Sequence, residues 1–533
     1  MIASYQQKKQ SVSLSNNRFG KGSRTTVIAL MLLFAVAVLG GWWLLQPPSE
    51  MKKFIIYPVD KNDSRKTLTL YCAAGMKPVM DEIIKSYFKE QNVAVECQYE
   101  GSGTLLNKLE AAKRGDLYLA ADSSYIQIAQ KKGILKESIP LAHIWPVIAV
   151  RKGNPKQIKG IKDLLRKDVT FALANPKAAS VGKLTKKILM QSGDWKGISQ
   201  AVKAYKPTVT ETAADVKLGT VDAAILWNTT VVVHKKYMDA VQVPFFKKAV
   251  QNVTVGVLSF SEKPTEALGF ARYLQAPGKG QKEFSKMGYE TVVGDEWTEH
   301  PRLIVFSGGV NRLAIEQTLK QFELREGVSL DTTFNGCGIL VATIKGSPAN
   351  PPDIYFACDT SFMTQVQGRF KPSLDIAETD MVLIVPKGNP KEINSIHDLI
   401  VSGLRVGFAD PKRSALGALT KRLLEKISSG GKKLYEAAKP NIEVQSATAD
   451  ILVNQLLAGG LDAAIVYRAN VSAIQSKLET ITIKQGNPTA TQPIAVHKES
   501  KYPYLSQRLV DALLSNQSQE RFLIHGFKWR ASQ

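Results

Sequence analysis

The chain contains one long segment twice. The stretch Leu68–Gly75 (LTLYCAAG) returns as Leu303–Val310 (LIVFSGGV), and Tyr99–Gly103 (YEGSG) returns as Phe334–Gly338 (FNGCG) at the same interval. Later segments repeat too, among them VDAAI and LDAAI. The interval is far longer than the roughly 20 to 50 residues of solenoid repeats, so the pattern predicts duplication of a whole domain.

The repeat divides the chain into two folded units behind an N-terminal extension. With 533 residues and 44% hydrophobic content, each unit is large enough to bury its own core. We refer to residues 67–298 as the first repeat and to 302–533 as the second repeat. The predicted order is a basic segment (1–26), an apolar segment (27–46), a tether (47–66) and the two repeats, with a short linker between them.

The apolar segment predicts a membrane anchor. It is uncharged from Val27 to Leu45, about the length needed to cross a bilayer. All charged residues that precede it are basic, and the first acidic residue of the chain is Glu50. Basic segments beside a membrane span stay in the cytoplasm. The chain is therefore predicted to cross the cell inner membrane once, with its bulk in the periplasm. A cleaved signal peptide is the alternative, but the segment ends in WWLLQPP without small residues, which favours an uncleaved anchor.

Charge and cysteine content exclude several classes of function. The chain carries 70 Lys+Arg against 47 Asp+Glu, a net charge of +23, but no segment combines basic clusters with aromatics. We therefore interpret the charge as a solvated basic surface and expect no nucleic-acid partner. The four cysteines lack C-x-x-C spacing, so no zinc site or other cofactor is expected. A disulfide within a repeat, such as Cys72 with Cys97, and free buried thiols both remain open.

Short apolar runs alternate with helical patterns in both repeats. This alternation predicts parallel βαβ units and an α/β fold. In the first repeat, strands are predicted at 67–72, 93–99, 117–121, 147–151, 169–174 and 223–227, and in the second at 381–386, 404–409 and 463–467.

Small-residue loops precede three predicted helices in each repeat. In the first repeat these loops are 73–75, 101–103 and 178–182, and the helix after the second loop is predicted from Thr104. Loops at the carboxyl ends of parallel strands form the ligand crevice of such folds. Because N–H groups at a helix start are unpaired and partly positive, these loops predict an anion site.

The sequence lacks the common signatures of an enzyme. The six histidines show no H-E-x-x-H, and neither G-x-S-x-G nor G-x-x-x-x-G-K-[ST] occurs. Asp116, Asp122, Asp353 and Asp359 recur in both repeats, where helix capping and loop fixing is the simpler interpretation. The sequence thus predicts a binding protein and no catalytic residue.

At these loops the chain resembles the extracytoplasmic molybdate- and tungstate-binding proteins of ABC transporters. The resemblance rests on YCAAGM from Tyr71, GSGTL from Gly101, DLYLAAD from Asp116, NPK from Asn175 and DAAILW from Asp222. It implies two tandem units of the type II periplasmic-binding fold, each with two lobes and a central mixed or parallel sheet, behind the transmembrane helix. An oxyanion would lie between the lobes, held by hydroxyls and backbone amides.

The resemblance also assigns site residues in the first repeat. Gly75 takes the position of the family's first serine, Ser102 matches the second, Val181 matches an amide donor and Trp227 replaces a tyrosine. A further amide falls near Thr210. The implied ligand-binding residues are Ala74, Gly75, Met76, Gly101, Ser102, Gly103, Thr104, Ser180, Val181, Thr210 and Trp227.

In the second repeat the family pattern is weaker. Val310 and Cys337 replace both serines, whereas Tyr467 keeps its hydroxyl. The corresponding residues are Gly309, Val310, Cys337, Gly338, Ala415, Leu416, Ile451 and Tyr467. We therefore expect the first repeat to bind the anion, and the second to take a different ligand or to act as a packing partner.

The resemblance implies a tethered receptor that captures molybdate or tungstate for an ABC permease and ATPase. Two alternatives stay open at this point. One is a binding protein for another anion, such as sulfate, phosphate or a small organic anion. The other is a tethered sensor or interaction module without transport.

Overall fold

The computed structural model describes residues 67–347, 350–486 and 488–531. The predicted basic segment, apolar segment and tether lie outside these residues. Within the described ranges, no helix has both the length and the apolar character required to cross a bilayer.

The first repeat alternates strands and helices, as its sequence pattern predicts. Its strands are β1 Thr67–Ala73, β2 Ala94–Glu100, β3 Leu117–Ala120, β4 Leu135–Ile144, β5 Pro146–Arg151, β6 Phe171–Ala174, β7 Ala204–Lys206, β8 Ala223–Trp227, β9 Met238–Val241, β10 Gln251–Leu258 and β11 Glu290–Thr291. Its helices are α1 Lys77–Gln91, α2 Ser102–Ala112, α3 Ser123–Lys131, α4 Ser180–Gln191, α5 Trp195–Ala201, α6 Val209–Leu218, α7 Asn228–Val233, α8 Pro244–Lys247, α9 Pro264–Gln275 and α10 Gly280–Lys286.

The second repeat follows the same order. Its strands are β12 Arg302–Gly308, β13 Ser329–Asn335, β14 Ile354–Phe356, β15 Leu374–Pro386, β16 Val406–Ala409, β17 Ser428–Ser429, β18 Lys432–Lys433, β19 Ile442–Ser446, β20 Ala463–Tyr467, β21 Leu478–Thr482, β22 Thr489–Val496 and β23 Lys528–Trp529. Its helices are α11 Arg312–Glu326, α12 Cys337–Gly346, α13 Thr360–Thr364, α14 Ala415–Glu425, α15 Leu434–Ala438, α16 Ala449–Leu457, α17 Pro503–Leu513 and α18 Asn516–Ile524.

Two sheets divide the first repeat into two lobes. The first lobe holds six strands in the order β11-β4-β10-β3-β1-β2, and the second lobe holds five in the order β7-β6-β8-β5-β9. Strand β1 pairs in parallel with β2 and β3, whereas β10 runs antiparallel to β3 and β4. The expected two-lobed α/β fold is thus present, with mixed sheets.

The second repeat differs in one strand, β15, which joins its two lobes. The sequence predicts this strand only from Met381, but it begins at Leu374 and spans 13 residues. It pairs with β22 of the first lobe and with β20 and β21 of the second. In the first repeat the corresponding path breaks at Trp145, whose N–H donates to Asn228 Oδ1 at 3.0 Å.

The long helix after the first strand of each repeat buries its apolar stripe. In α1 the residues Met80, Ile83, Ile84 and Tyr87 are buried, as their spacing predicts. A short 3₁₀ turn at Ala74–Met76 leads into this helix. Burial of each large apolar side chain contributes about 1.5 to 3 kcal/mol, which fixes the helix to the sheet.

A buried ion cluster joins the two repeats through their first lobes. The Glu326 carboxylate at the end of α11 accepts from Arg272 of α9 at 3.0 Å and from Arg508 of α17 at 2.7 Å. Nearby, Asp295 of the first repeat accepts from the N–H groups of Tyr504 and Leu505 at 2.8 and 2.9 Å, which caps α17. Both repeats therefore contribute charge to one buried joint.

The pKa shifts at this joint follow from burial and pairing. Burial raises the pKa of Glu326, but the charges of Arg508 and Arg272 outweigh it, so the net pKa is lowered. Because its pKa is lowered, ionised Glu326 stabilises the fold at pH values above the usual carboxyl pKa of about 4.3. This contribution is lost as the pH falls through the lowered pKa of the folded state.

We predict that Glu326→Ala destabilises the protein by about 3 to 5 kcal/mol, because it leaves two buried guanidinium groups unpaired. The measurement is urea unfolding at neutral pH, followed by tryptophan fluorescence. Glu316→Ala is the matched control on the same helix: Glu316 pairs with Arg312 at the surface, so we expect a loss below about 1 kcal/mol. Equal effects of the two substitutions would contradict the structural role of the joint.

Candidate functional site

A small cavity lies between the two lobes of the first repeat. Its volume is about 20 Å³, little more than the roughly 10 to 15 Å³ that one water molecule needs and far below the roughly 300 to 1,000 Å³ of pockets for drug-sized ligands. The first lobe contributes the ends of β1 and β2 and the residue after β3, and the second lobe contributes the starts of α4 and α6 and the end of β8. The lining residues are Ala73, Ala74, Gly75, Glu100, Gly101, Ser102, Ala121, Ala179, Ser180, Val181, Thr208, Val209 and Trp227.

Three helical segments start at this cavity without a side-chain cap. The N-cap residues Ala73, Gly101 and Ala179 make no side-chain hydrogen bond to the 3₁₀ turn before α1, to α2 and to α4, respectively. The first N–H groups of a helix have no partner within it and carry partial positive charge. The cavity wall is therefore rich in donors, although no basic residue is among its lining residues.

Glycines let the two lobes meet by backbone contact. A Cβ built on Gly101 would lie 2.4 Å from Ala178 O and 2.9 Å from Pro207 O, both in the second lobe. Gly103 N–H donates to Ala178 O at 3.0 Å across the same seam. Side chains at these positions would hold the lobes apart, so the closed cleft requires glycine here.

Two serines line the cavity, Ser102 from the first lobe and Ser180 from the second lobe. Ser102 Oγ accepts from Ala121 N–H at 3.4 Å, which leaves its O–H able to donate. Ser180 is buried, and its Oγ has no hydrogen-bond partner in the part of the chain that the structure describes. An unsatisfied buried hydroxyl costs about 1 to 3 kcal/mol, and this one is free to donate to a group in the cavity.

One acidic side chain also reaches the cavity. Glu100 Oε1 accepts from Lys108 Nζ, whereas its Oε2 is buried and has no partner among the described residues. The ion pair offsets the charge of the carboxylate and leaves Oε2 as an unused acceptor of a residue that lines the cavity. The sequence pattern did not single out this residue.

The structure brings together seven of the residues that the sequence assigns to the first site, namely Ala74, Gly75, Gly101, Ser102, Ser180, Val181 and Trp227. The other four, Met76, Gly103, Thr104 and Thr210, do not line the cavity. Met76 points into the core, where its sulfur accepts from Tyr289 Oη at 3.1 Å. The helix assigned near Thr210 begins one residue earlier, so Thr208 and Val209 take that place.

In the second repeat the two lobes also meet by backbone contact, but the side chains at the cleft differ from those of the first repeat. Gly338 N–H donates to Arg413 O at 3.1 Å, as Gly103 does to Ala178. Val310 occupies the position of Gly75, and Ala415 begins α14 where Ser180 begins α4. Tyr467 Oη is buried without a partner among the residues described.

The remaining residues assigned to the second site differ in their exposure and surroundings. Gly309 faces the opposite lobe, since a Cβ built on it would lie 3.8 Å from Thr448 Cγ2. Cys337 and Leu416 are buried at helix starts. Ile451, by contrast, is the third residue of α16, and its side chain is exposed.

The recurring aspartates have structural roles, as their sequence context predicts. Asp122 and Asp359 cap α3 and α13 by accepting from Ser124 N–H and Ser361 N–H at 2.7 and 3.0 Å. All four cysteines are free thiols. Strands β1 and β2 are neighbours, as the suggested Cys72–Cys97 disulfide requires, but Cys72 lies opposite Tyr99 in the strand register.

Comparison with known proteins agrees with this architecture. The family model of the bacterial extracellular solute-binding proteins matches residues 68–290 and again residues 303–528. The chain belongs to this family. It does so twice, because each repeat is one complete match.

Individual relatives cover one repeat each. A candidate binding protein of Haemophilus influenzae is 29% identical over 224 residues, which is 42% of this chain and 90% of that protein. Molybdate-binding protein ModA of Mycobacterium tuberculosis is 28% identical over 217 residues, 39% of this chain and 77% of that protein.

A solved structure resembles one repeat in the same way. The substrate-binding domain of a candidate molybdenum ABC transporter from Clostridium difficile is 22% identical, with a TM-score of 0.34, and covers 42% of this chain and 99% of that domain.

We predict that Gly101→Ala opens the cleft of the first repeat, because its new methyl group would overlap Ala178 O. Small-angle X-ray scattering should show a larger radius of gyration than for the unmodified protein. Gly160→Ala is the control: nothing lies within 4 Å of a Cβ built there, so the radius should not change. An unchanged radius for Gly101→Ala would contradict closure by backbone contact.

Proposed function

We propose that the first repeat binds a tetrahedral oxyanion, molybdate or tungstate, in the cavity between its lobes and delivers it to an ABC-type importer. The observation that carries this proposal is the buried Ser180 hydroxyl, which lines the cavity without a partner in the described structure. The three uncapped helical starts around it supply further donors for the oxygens of a small anion.

The chemistry of the wall suits an anion that has lost its water. Each oxygen of such a ligand needs a donor, because an unmatched polar group costs about 1 to 3 kcal/mol. Hydroxyls of Ser102 and Ser180, backbone N–H groups of Gly75, Val181 and Val209, and the indole of Trp227 would serve as donors from both lobes. Trp227 donates only, so it favours a ligand with acceptor oxygens.

The partners proposed are an ABC permease and its ATPase, and the chain is held at the membrane by residues 27–46. Support for the importer comes from the family and from relatives named as molybdate-binding proteins. These relatives are binding proteins, which also supports the absence of a catalytic role. The apolar segment supports the anchor by its sequence alone.

Calorimetric titration of the purified full chain with molybdate, tungstate and sulfate tests the proposal. We expect heat from molybdate and tungstate with one site per chain, since in the second repeat Ala415 lacks the hydroxyl of Ser180 and Cys337 replaces the hydroxyl of Ser102 with a weaker thiol donor. Absence of binding for all three anions would reject the proposal, and two sites per chain would reject its restriction to the first repeat.

Ser180→Ala should weaken anion binding by about 1.5 to 3 kcal/mol, the usual value of a hydrogen bond to a charged group. This is about a tenfold to hundredfold rise in Kd in the same titration. Thr185→Val is the matched control, because Thr185 lies on the same helix with a buried, unpartnered hydroxyl that is not among the residues lining the cavity. Its Kd should match that of the unmodified protein.

A second candidate is an anion that carries a hydroxyl, such as hydrogen phosphate. It is favoured by Glu100, which lines the cavity and whose buried Oε2 has no partner in the described structure and would accept from such a ligand. A fully ionised dianion has no proton for this oxygen and would meet its negative charge instead.

Glu100→Gln separates the two candidates, because the amide replaces an acceptor with a donor. For a fully ionised anion we expect tighter binding of molybdate, and for a hydroxyl-bearing anion we expect phosphate binding to weaken at least about tenfold. Glu110→Gln is the control, since Glu110 pairs with Lys132 at the surface. Unchanged affinity for both anions would exclude Glu100 from either site.

A further inference from the structure

The cleft of the second repeat holds two sulfur atoms where the first repeat has Ser102 and Ala121. Cys358 N–H donates to Cys337 Sγ at 3.0 Å, and Ala121 N–H donates to Ser102 Oγ at 3.4 Å. The same hydrogen bond thus recurs at the first turn of α12 and of α2. Sulfur has replaced the acceptor oxygen, and a second thiol has been added beside it.

The two thiols lie side by side, next to the backbone of Gly308. A Cβ built on Gly308 would lie 2.1 Å from Cys358 Sγ and 3.1 Å from Cys337 Sγ. Gly308 is therefore the residue that makes room for the pair, whereas the first repeat has Ala73 at this position. Both cysteines are buried. Their hydrogen bond, together with burial, raises the pKa of the Cys358 thiol.

The pair lies directly behind the seam between the lobes. Cys337 stands between Gly336 and Gly338, and a Cβ built on Gly336 would lie 2.3 Å from Arg413 O of the opposite lobe. Gly338 N–H donates to the same carbonyl oxygen. An external reagent therefore reaches the sulfur atoms only when the lobes of the second repeat separate.

Charged groups of both signs lie near the pair, because the Asp359 carboxylate follows Cys358 in the chain and lies 3.8 Å from the Arg422 guanidinium. Tyr355 and Tyr467 lie close to both sulfur atoms, and burial raises the pKa of each phenol, so both stay neutral. Cys337 is the first residue of α12, and its Sγ accepts the Cys358 N–H at 3.0 Å. We therefore assign the first attack to Cys337.

We propose that Cys337 and Cys358 form a dithiol–disulfide couple in the cleft of the second repeat, oxidised by a disulfide reagent that enters when the lobes open. The Cys337 thiolate attacks one sulfur of the reagent and displaces its other sulfur as a thiolate. Cys358 then loses its proton and attacks Cys337 Sγ, which forms the internal disulfide and releases the second thiol. The two protein thiols are oxidised, the reagent is reduced to two thiols, and their protons pass to the leaving groups.

The family context agrees with this couple. Extracellular solute-binding proteins function outside the cytoplasm, where disulfides form and persist. The proposal does not depend on the anion site of the first repeat, because the residues of the two clefts differ. Failure of one would leave the other intact.

The test is incubation of the full chain with glutathione disulfide, then alkylation of remaining thiols, proteolysis and mass spectrometry. We expect one cross-link, between Cys337 and Cys358, which dithiothreitol reverses. Cys337→Ser and Cys358→Ala restore the residues of the first repeat and should each abolish it. Cys72 and Cys97 are the internal control, because they are not opposite each other in the strand register and should remain alkylatable.

Three results would overturn the couple. One is recovery of all four cysteines as alkylated thiols after the incubation, and another is a cross-link to Cys72 or Cys97 instead. The third is a pair that resists alkylation until a chelator is added, which would indicate a bound thiophilic ion. Gly336→Ala tests the access route: it should open the seam and speed oxidation several-fold, and an unchanged rate would contradict gating by the lobes.

Discussion

The structure depends on backbone contact between lobes at positions without side chains. Gly101 and Gly103 approach the carbonyl oxygens of the second lobe so closely that a single methyl group would separate them. This approach brings helix starts from both lobes to one cavity, where their N–H groups add up to a positive potential without a basic side chain. The cavity therefore exists only in the closed state, since half of its wall belongs to each lobe.

The two repeats show that closure and ligand chemistry are separable. The second repeat retains Gly336 and Gly338 at the seam, so its lobes close in the same way. Its donors are nevertheless changed, because Cys337 replaces Ser102 and Ala415 has no hydroxyl. The contact between the lobes determines where a ligand would lie. A few side chains at the helix starts determine which hydrogen-bond donors and reactive groups are available there.

The sequence predicted the frame better than the details of the site. Duplication, the two-lobed α/β fold and the loops around Gly101 and Ser180 followed from pattern and resemblance, because small-residue loops before helices are local signals. The amide near Thr210 was assigned only approximately, since sequence does not fix a helix start to the residue, and α6 begins at Val209. Glu100 was missed because a charged residue at a strand end has no distinctive local pattern.

The joint between the repeats constrains how the clefts can move. The inter-repeat contacts described above, from Arg272 to Glu326 and from Asp295 to the start of α17, all lie in the first lobes. Breaking the buried ion cluster would cost several kcal/mol, so the two first lobes are expected to move as one body. Opening of either cleft then requires only its second lobe to swing, and this motion leaves the joint intact. The two clefts can in this way open independently on a common platform, which suits one repeat that responds to an anion and another that responds to thiol oxidation.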